Sequence, residues 1–433
     1  MNSLAVGGRM FVFRYSVAAI VLLSLLWTGC GSQNSRPVAQ TQSVVFFSSA
    51  ALNGSDALGA QNIWTMHADG SGIAPLTRLT VPPSFFPSWS PDGGRIIFES
   101  SRALDGSDTT NTNGTINIWV MNADGSGIAP LTKLSGTSFI VADGAFFSPD
   151  MLKIIYSSDR ALDGSDALNT NGTMNAWIEN ADGSGATPIT TLTAAGALTL
   201  ATGWSPDGKK LIVESARALD GSDTVNTNGT FNIWQINPDG TGAAPLTTLT
   251  ANKASAFVAR FVGAATLAFA SSRALDGSDA ANINDVQNIW TMNADGSGAA
   301  PLTRLTAAGV DLLTFEFSPD GSKVAFISSR ALDGTDAMNT NGVHNLWVMN
   351  ADGSNPTPLT RLTAAGANVS SAFWSPDGSK ITFDSSRALD GSDAANVNRT
   401  SNIWSINPDG SNPTPLTRIT ANAASSFAPQ WKP

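Results

Sequence analysis

The chain has 433 residues and a net charge of −10, with 42% hydrophobic and 13% charged residues and no basic cluster. This composition is typical of a folded protein, and it argues against a disordered chain, against nucleic-acid binding and against charge-driven docking on anionic lipid. The 40 glycines and 22 prolines indicate many short strands with tight turns, and 12 tryptophans beside two tyrosines indicate a repeated unit that carries tryptophan.

The first predicted element is a targeting segment at the start of the chain. Arg9 and Arg14 precede an apolar run from Tyr15 to Gly29, which is too short to span a bilayer comfortably. We therefore expect residues 1–29 to be a signal peptide and the protein to be exported.

The only cysteine of the chain, Cys30, directly follows this run in the sequence LLWTGC. The stretch resembles the lipobox of bacterial lipoproteins, although Trp27 stands where leucine is usual. The resemblance implies that Cys30 is lipidated, and Gly31 in place of aspartate implies sorting to the outer membrane. Residues 30–42 are expected to form a flexible tether. The alternative is a secretory signal with an incidental cysteine.

A repeated Asn-x-Trp motif then marks seven equivalent points along the chain. Its tryptophans recur at a nearly constant spacing, which is the signature of a solenoid or a propeller. We expect these tryptophans to lie in the core, because large aromatic side chains dominate the packing of such sheets. The motif places tryptophan at Trp64, Trp119, Trp177, Trp234, Trp290, Trp347 and Trp404.

Each repeat predicts four short antiparallel strands. In residues 373–420, FWSPDGSK and KITFDSS read as two strands joined by a Pro-Asp-Gly turn. NIWSIN is the third strand, and TPLTRIT after a second Asp-Gly turn is the fourth. Four antiparallel strands with tight turns make one blade of a β-propeller.

The two ends of the chain predict that the ring closes. The stretch SVVFFSS at residues 43–49 begins a unit that lacks its first strand, and SSFAPQWKP at the C-terminus supplies a first strand alone. We therefore predict an all-β, closed seven-bladed β-propeller over residues 43–433, with the terminal strands completing one shared blade. An open solenoid is the alternative, and it would leave both terminal fragments unpaired.

The repeat resembles a known family. FSPDGSKVAFISSR…NLWVMNADGSNPTPLTRLT, which begins at residue 317, looks like the repeat of the TolB-type β-propellers, and the resemblance covers residues 43–433. It implies the propeller but not the place of TolB in its envelope complex, since the chain has no room for the N-terminal α/β domain of TolB. One unit departs from the pattern, because residues 261–273 have lost Pro-Asp-Gly and must turn differently.

Six units carry a long acidic and amide-rich loop between their second and third strands. In each, an arginine precedes the asparagine of Asn-x-Trp at the same distance along the chain, and we call the segments between them the crown loops: residues 103–116, 161–174, 218–231, 274–287, 331–344 and 388–401. All of them should lie on one face of the disc. The candidate binding residues there are Asp105, Asp108, Asn111, Asn113, Asp163, Asp166, Asn169, Asn171, Asp220, Asp223, Asp276, Asp279, Asp333, Asp336, His344, Asp390 and Asp393.

Three interpretations of the crown loops stay open. Four loops contain Asn-Thr-Asn-Gly, whose spacing is similar to that of a calcium loop, although the charge sits one residue away. A surface for protein or sugar is the second, with Phe231 and Met174 as the nearest aromatic or apolar candidates. The third is structural: Asx turns, with the leading arginine paired to an aspartate three or six residues on or in the next blade, order the loop without a ligand.

Catalytic signals are few. The two histidines are His67, at a turn, and His344, at the foot of a crown loop, and there is neither a Gly-x-Ser-x-Gly elbow nor a His/Cys cluster. Glu99, Glu214 and Glu316 interrupt the repeat on predicted strands and are the only basis for an enzyme.

The sequence as a whole therefore predicts a monomeric, non-catalytic binding or scaffold module of the cell envelope, without a cofactor. Its partner would be an envelope protein or polysaccharide, with membrane contact through the lipid anchor alone. The alternatives are a carbohydrate- or calcium-dependent binding protein that uses the crown loops, and a propeller lyase or glycosidase.

Overall fold

The computed structural model describes residues 42–52, 58–136 and 140–433. The predicted signal peptide, Cys30 and almost all of the predicted tether lie outside these residues. No helix within the described ranges is long and apolar enough to cross a membrane.

The described residues form a seven-bladed β-propeller with four antiparallel strands in each blade, as predicted. Blade 1 begins with β1 (Ser43–Ala50), β2 (Leu58–His67) and β3 (Ala74–Pro75). Blade 2 comprises β4 (Ser84–Trp89), β5 (Arg95–Ser100), β6 (Asn117–Asn122) and β7 (Ala129–Pro130), and blade 3 comprises β8 (Ala142–Phe147), β9 (Lys153–Ser158), β10 (Asn175–Asn180) and β11 (Thr187–Pro188). Blade 4 comprises β12 (Thr199–Trp204), β13 (Leu211–Ser215), β14 (Asn232–Ile236) and β15 (Ala244–Pro245).

The remaining strands follow the same order. Blade 5 comprises β16 (Ala256–Val262), β17 (Thr266–Ser271), β18 (Asn288–Asn293) and β19 (Ala300–Pro301), and blade 6 comprises β20 (Leu312–Phe317), β21 (Lys323–Ser328), β22 (Asn345–Asn350) and β23 (Thr357–Pro358). Blade 7 comprises β24 (Val369–Trp374), β25 (Ile381–Ser385), β26 (Asn402–Ile406) and β27 (Thr414–Pro415). Single 3-10 turns lie in the crown loops at Thr112–Gly114, Thr170–Gly172, Thr227–Gly229, Ile283–Asp285, Thr340–Gly342 and Val397–Arg399.

The last strand closes the ring. β28 (Ser426–Trp431) pairs antiparallel with β1, with Val44 opposite Trp431 and Ser48 opposite Ser426. The chain therefore completes blade 1 with its C-terminal strand, and each sheet is joined to the next around the disc without an open break between the two ends.

The fourth strands are shorter than predicted. Each spans only a threonine or alanine and the proline after it, as in Thr357–Pro358 of blade 6. Proline has no N–H to donate, so the ladder cannot continue through it. A threonine side chain takes over: the N–H of Leu346 donates to Oγ1 of Thr360 at 2.9 Å instead of to a backbone carbonyl. The segment stays attached to the sheet through this side-chain bond and through the N–H of Leu359, which donates to the carbonyl of Leu346 at 2.8 Å.

The core lies between neighbouring sheets. One apolar cluster joins Ala268 and Ile289 of blade 5 to Phe315, Phe326 and Trp347 of blade 6. Each sheet is covered on both faces, so the second strands are buried along nearly their whole length rather than alternately. The seven repeated tryptophans are at most 5% exposed, which confirms that they are core residues.

The topology sorts the loops onto two faces. The crown face carries the crown loops and the connections between blades, and the turn face carries the turns from first to second and from third to fourth strand. First strands of neighbouring blades contact each other, as β20 contacts β24, which places them around the central channel.

Candidate functional site

The arginine directly before each crown loop lies over the tryptophan ring of its own blade. In blade 6 the guanidinium carbon of Arg330 is 5.0 Å from the centre of the Trp347 ring, and Nη2 donates to the carbonyl oxygen of Gly334. The same stacking occurs in six blades, between Arg102 and Trp119, Arg160 and Trp177, Arg217 and Trp234, Arg273 and Trp290, Arg330 and Trp347, and Arg387 and Trp404.

This contact differs from the predicted pairing of the arginine with an aspartate. Of the six arginines that precede the crown loops, only Arg160 comes within ion-pair distance of a described aspartate, Asp166, at 4.0 Å. The indole face attracts the cation and the buried site excludes water, so stacking replaces the ion pair. The sequence carried a signal for it, because the arginine and the long loop occur in the same six units.

The first aspartate of each crown loop forms an Asx turn. In blade 6 the N–H of Thr335 donates to Oδ1 of Asp333 at 2.9 Å, and the Thr335 hydroxyl donates to the same oxygen. This hydroxyl, with the backbone N–H, holds the pKa of Asp333 below its usual value, so the carboxylate is charged at neutral pH. The equivalent, exposed residues are Asp105, Asp163, Asp220, Asp276, Asp333 and Asp390.

The second aspartate of each crown loop bonds to the preceding blade. Asp223 of blade 4 accepts from the N–H groups of Thr193 at 2.9 Å and Ala194 at 3.0 Å, both in blade 3. The remaining five residues make the same bridge: Asp108 to Thr80, Asp166 to Ser135, Asp279 to Thr250, Asp336 to Thr306 and Asp393 to Thr363. These carboxylates therefore fasten neighbouring blades together on the crown face.

Two asparagines then anchor the loop to its own blade. In blade 6, Nδ2 of Asn339 donates to the carbonyl of Leu362 at 2.8 Å, and Nδ2 of Asn341 donates to that of Thr363 at 2.9 Å. Asn341 has a φ of 58°, which asparagine tolerates better than most residues. The predicted residues Asn111, Asn113, Asn169 and Asn171 occupy these two positions in blades 2 and 3.

The pair of asparagines extends beyond the four Asn-Thr-Asn-Gly loops. Asn282 and Asn284 in blade 5, and Asn396 and Asn398 in blade 7, make the same bonds. The repeated unit is thus Asn-x-Asn in all six loops, and its amide groups face protein carbonyls. No group of three or more His, Cys, Asp or Glu side chains that could bind a metal ion occurs in the described ranges.

His344 contacts an acid of its own blade. Its Nε2 lies 2.6 Å from Oδ1 of Asp311, which also accepts from the hydroxyl of Ser329. His344 and Ser329 both bond to Asp311 and not to each other, so the three side chains do not form a nucleophile–base relay. Burial raises the pKa of Asp311, but the bonds from His344 and Ser329 outweigh it and leave this pKa below its usual value.

Five crown loops expose one aliphatic side chain next to the buried first asparagine. These side chains are 38% to 66% exposed and lie directly before or directly after that asparagine, in successive blades 3 to 7. We call them the aliphatic arc: Leu168, Val225, Ile283, Met338 and Val397. In blade 2 the flanking residues are Thr110 and Thr112, so the arc is interrupted there.

Two of the three glutamates that interrupt the repeat, Glu99 and Glu214, are structural and lie near the crown ends of β5 and β13. Glu99 accepts from the N–H of Gly144 at 3.1 Å, and Glu214 accepts from the N–H of Val258 and, at 3.3 Å, of Ala259. Each therefore binds the bulge in the first strand of the next blade. Burial raises the pKa of Glu99 well above its usual value, and that of Glu214 to about 7.

The third glutamate lines a cavity on the turn face. This cavity has a volume of about 500 Å³ and opens at the channel mouth, between the first strands and first turns of blades 2 to 6. Its wall includes Phe147, Trp204, Arg260, Phe261, Glu316 and Phe317. His344 lies at the opposite end of β20, which at about 3.3 Å per residue puts it roughly 20 Å from this cavity. The histidine and Glu316 therefore cannot act on the same bond.

No protein-family model and no curated protein matches the sequence. Solved structures do match the fold. A puromycin-hydrolyzing peptidase of Mycobacterium tuberculosis is 12% identical with a TM-score of 0.58, over 94% of this chain and 55% of that one, so the chain spans about half of the peptidase. An oligogalacturonate lyase of Vibrio parahaemolyticus is 15% identical with a TM-score of 0.50, over 87% and 86% of the two chains.

TolB of Acinetobacter baumannii is also similar, at 14% identity and a TM-score of 0.44, over 90% of this chain and 83% of that one. At such low identity these likenesses show the propeller fold alone.

Proposed function

We propose that the chain is an exported, non-catalytic binding module of the cell envelope that docks a protein partner on its crown face. The observation that carries this proposal is the aliphatic arc, whose members are exposed at equivalent places in five successive blades. The five side chains stand one in each loop, and a protein partner that spans the crown face would cover all of them together with the polar residues around them. The arc is set in loops that the Arg–Trp stacks and asparagine anchors hold in place, so the surface is formed before a partner binds.

The charge around the arc indicates the chemistry of the partner. The exposed first aspartates alternate with the aliphatic side chains around the face, and their pKa values are lowered, so they are ionised at neutral pH. The arginines before the crown loops lie on tryptophan rings, and Lys253 is paired with Asp285 at 2.5 Å. Arg399 is exposed in the crown loop of blade 7, but the six crown loops together hold 13 aspartates and this one arginine, so the face stays acidic. A protein segment with apolar side chains flanked by Lys and Arg complements this surface, whereas an anionic polymer is repelled.

A sugar is a poorer match to the same face. None of the exposed large hydrophobic side chains in the described part of the chain is aromatic. Phe231 packs in a small cluster with Met174 and Leu200, and its ring is 5.5 Å from that of Phe257. The two residues that the sequence offered for a sugar site are therefore packed against neighbours instead of forming an open platform.

The proposed location follows from the N-terminal sequence and the topology. Ser43 begins β1 at the turn face, so a lipid anchor at Cys30 would attach to that side of the disc and leave the crown face pointing away from it. Radiolabelled palmitate should be incorporated into the full chain and lost in Cys30→Ser. Labelling that persists in this variant contradicts the anchor.

The docking proposal is tested by affinity capture from envelope extract with the mature chain, followed by identification of bound proteins by mass spectrometry. The variant Val225→Ser/Ile283→Ser/Val397→Ser removes three members of the arc. It should lose a captured protein that has a basic, apolar segment, and cross-links should map that segment to the crown loops.

A matched control removes exposed aliphatic side chains from the turn face. Ile73 and Leu152 are 45% and 67% exposed, so Ile73→Ser/Leu152→Ser removes two exposed aliphatic side chains outside the crown face. It should retain the partner. Equal capture by both variants, or no capture by the wild-type chain, contradicts the proposal.

A further inference from the structure

The channel mouth on the turn face contains an arginine, Arg260, that forms no ion pair within 4.0 Å among the described residues. Arg260 on β16 is half-buried and lines the cavity, with its guanidinium carbon 4.6 Å from the centre of the Phe315 ring. Its Nε and Nη2 are inaccessible to solvent and have no hydrogen-bond partner among the described residues. Burial lowers the pKa of Arg260 to about 10, so the side chain remains positive at neutral pH.

Glu316 is the acid whose charge acts on Arg260, but the two side chains form no ion pair. No acid among the described residues lies within 4.0 Å of Arg260. Oε2 of Glu316 instead accepts from the N–H of Trp374 at 2.9 Å, and burial raises the pKa of Glu316 to about 8, so it is mostly neutral at pH 7. At the rim, Asp320 accepts from Ser318 and Ser322 of its own turn. An unpaired buried charge costs free energy that an anion can recover.

A second buried acid, Glu214, sets the position of Arg260 on β16. Val258, two residues earlier, has a φ of 60°, which is unfavourable for a β-branched residue. Glu214 of blade 4 accepts from the N–H groups of Val258 and Ala259 and so stabilises this bulge. The bulge shifts the register of β16 between Phe257 and Arg260. Glu214 is thus a positioning residue for Arg260.

The departure from the repeat in blade 5 coincides with this site. Val262 pairs directly with Thr266, so the first turn of blade 5 is shorter than that of blade 6, which runs between Phe317 and Val324. The Pro-Asp-Gly turn that blades 2, 4, 6 and 7 place at the channel mouth is missing here. The cavity wall at this point is formed by Arg260 to Gly263 instead.

From this geometry we infer that the channel mouth is a binding site for a small organic acid, whose carboxylate pairs with Arg260. The planar guanidinium suits a carboxylate, and the walls of Phe147, Trp204 and Phe317 suit a flat or apolar body attached to it. A volume of about 500 Å³ accommodates one or two rings. This site lies on the face opposite the proposed docking surface, and neither depends on the other.

Isothermal titration of the mature chain tests the site with two acids and their neutral counterparts. Phenylacetate is compared with phenylacetamide, and glucuronate with glucose. At least one acid should bind, at least tenfold more tightly than its neutral counterpart, because a charge-assisted bond is lost in the amide or sugar. Preference for phenylacetate or glucuronate identifies an apolar acid or a sugar acid as the source of the carboxylate.

Arg260→Gln should weaken binding of the preferred acid about tenfold or more and leave binding of its neutral counterpart unchanged. Arg95→Gln is the matched control, because Arg95 also lies over a ring, 4.9 Å from the centre of Phe147, but donates to the carbonyls of Ala181 and Met151. No binding of either acid, or equal binding by Arg260→Gln with an unchanged melting temperature, overturns the inference.

Discussion

The two faces of the disc are built in different ways from the same repeat. On the crown face six loops repeat one arrangement: their asparagines bond to carbonyls of their own blade, their second aspartates bond to the preceding blade, and the arginines before them lie on tryptophan rings. On the turn face blade 5 has lost its Pro-Asp-Gly turn, and Arg260 lines a cavity there and forms no ion pair among the described residues.

The difference shows where a repeated structure can bind something specific. Polar groups that recur in every blade can satisfy one another, and they then have little bonding capacity left for a small ligand. What such a face still offers is its outer layer, here the aliphatic arc and the exposed aspartates, which suits a broad protein contact. A small ligand needs a unique group, and that group occurs where the repeat is interrupted.

The largest expected effect concerns Glu316 on the turn face. Its pKa of about 8 in the folded protein lies above the value of about 4.5 in the unfolded chain, so the folded state binds the extra proton between these pH values. Stability should therefore fall as pH rises from about 4.5 to 8, by up to about 1.4 kcal/mol per pH unit from this residue. Glu316→Gln should remove this fall and be more stable than wild type at pH 9, by a few kcal/mol in urea unfolding. If the difference in unfolding free energy between Glu316→Gln and the wild type does not change with pH, Glu316 is not buried in its neutral form.

The next effect is a difference in lost unfolding free energy between substitutions at the two ends of β22. Asn345, at the crown face, is fully buried, donates to the carbonyl of Leu362 and accepts from Thr360 and Leu362. Asn345→Ala leaves these groups unbonded and should cost about 2–4 kcal/mol of unfolding free energy. Asn350, at the turn face, bonds to the side chains of Ser354 and Lys323 near solvent, and Asn350→Ala should cost under about 1 kcal/mol. Equal losses of unfolding free energy in Asn345→Ala and Asn350→Ala would contradict the difference between the two faces.

The Arg–Trp stack gives the smallest of the three effects. Arg330→Ala removes the contact with Trp347 and the bond to Gly334, which should cost about 1–2 kcal/mol. Amide hydrogen exchange should accelerate in residues 331–344 and stay unchanged in the crown loop of blade 4. Arg330→Lys keeps the cation but not the planar group, so its unfolding free energy should lie between those of the wild type and of Arg330→Ala. Uniform acceleration in all blades contradicts a local role.

Most of the fold could be predicted from the sequence because the Asn-x-Trp period is a local pattern repeated at nearly constant spacing. The fourth strands were predicted too long, since side-chain bonding by Thr360 and its equivalents cannot be distinguished from a ladder in the sequence. The crown loops were placed on one face, but the Arg–Trp stack was not predicted. Arg330 and Trp347 stand on either side of a whole crown loop in the sequence, and only folding brings them together.

The cavity was harder to foresee. The missing Pro-Asp-Gly in blade 5 was visible, yet nothing in the sequence indicates that Arg260 forms no ion pair within the described part of the chain. That property depends on the bulge at Val258, which Glu214 of the neighbouring blade stabilises, and on the bond that turns Glu316 toward Trp374. Both contacts join residues of different blades, which are distant in the sequence.

The most direct test of the contrast between the faces is hydrogen–deuterium exchange of the mature chain with and without saturating phenylacetate, or glucuronate if titration prefers it. Slower exchange is expected in residues 256–263 and 316–321 at the channel mouth, with the crown loops unchanged. Protection that is spread evenly over the seven blades, or that is confined to the crown loops, would contradict a ligand site at the interruption of the repeat.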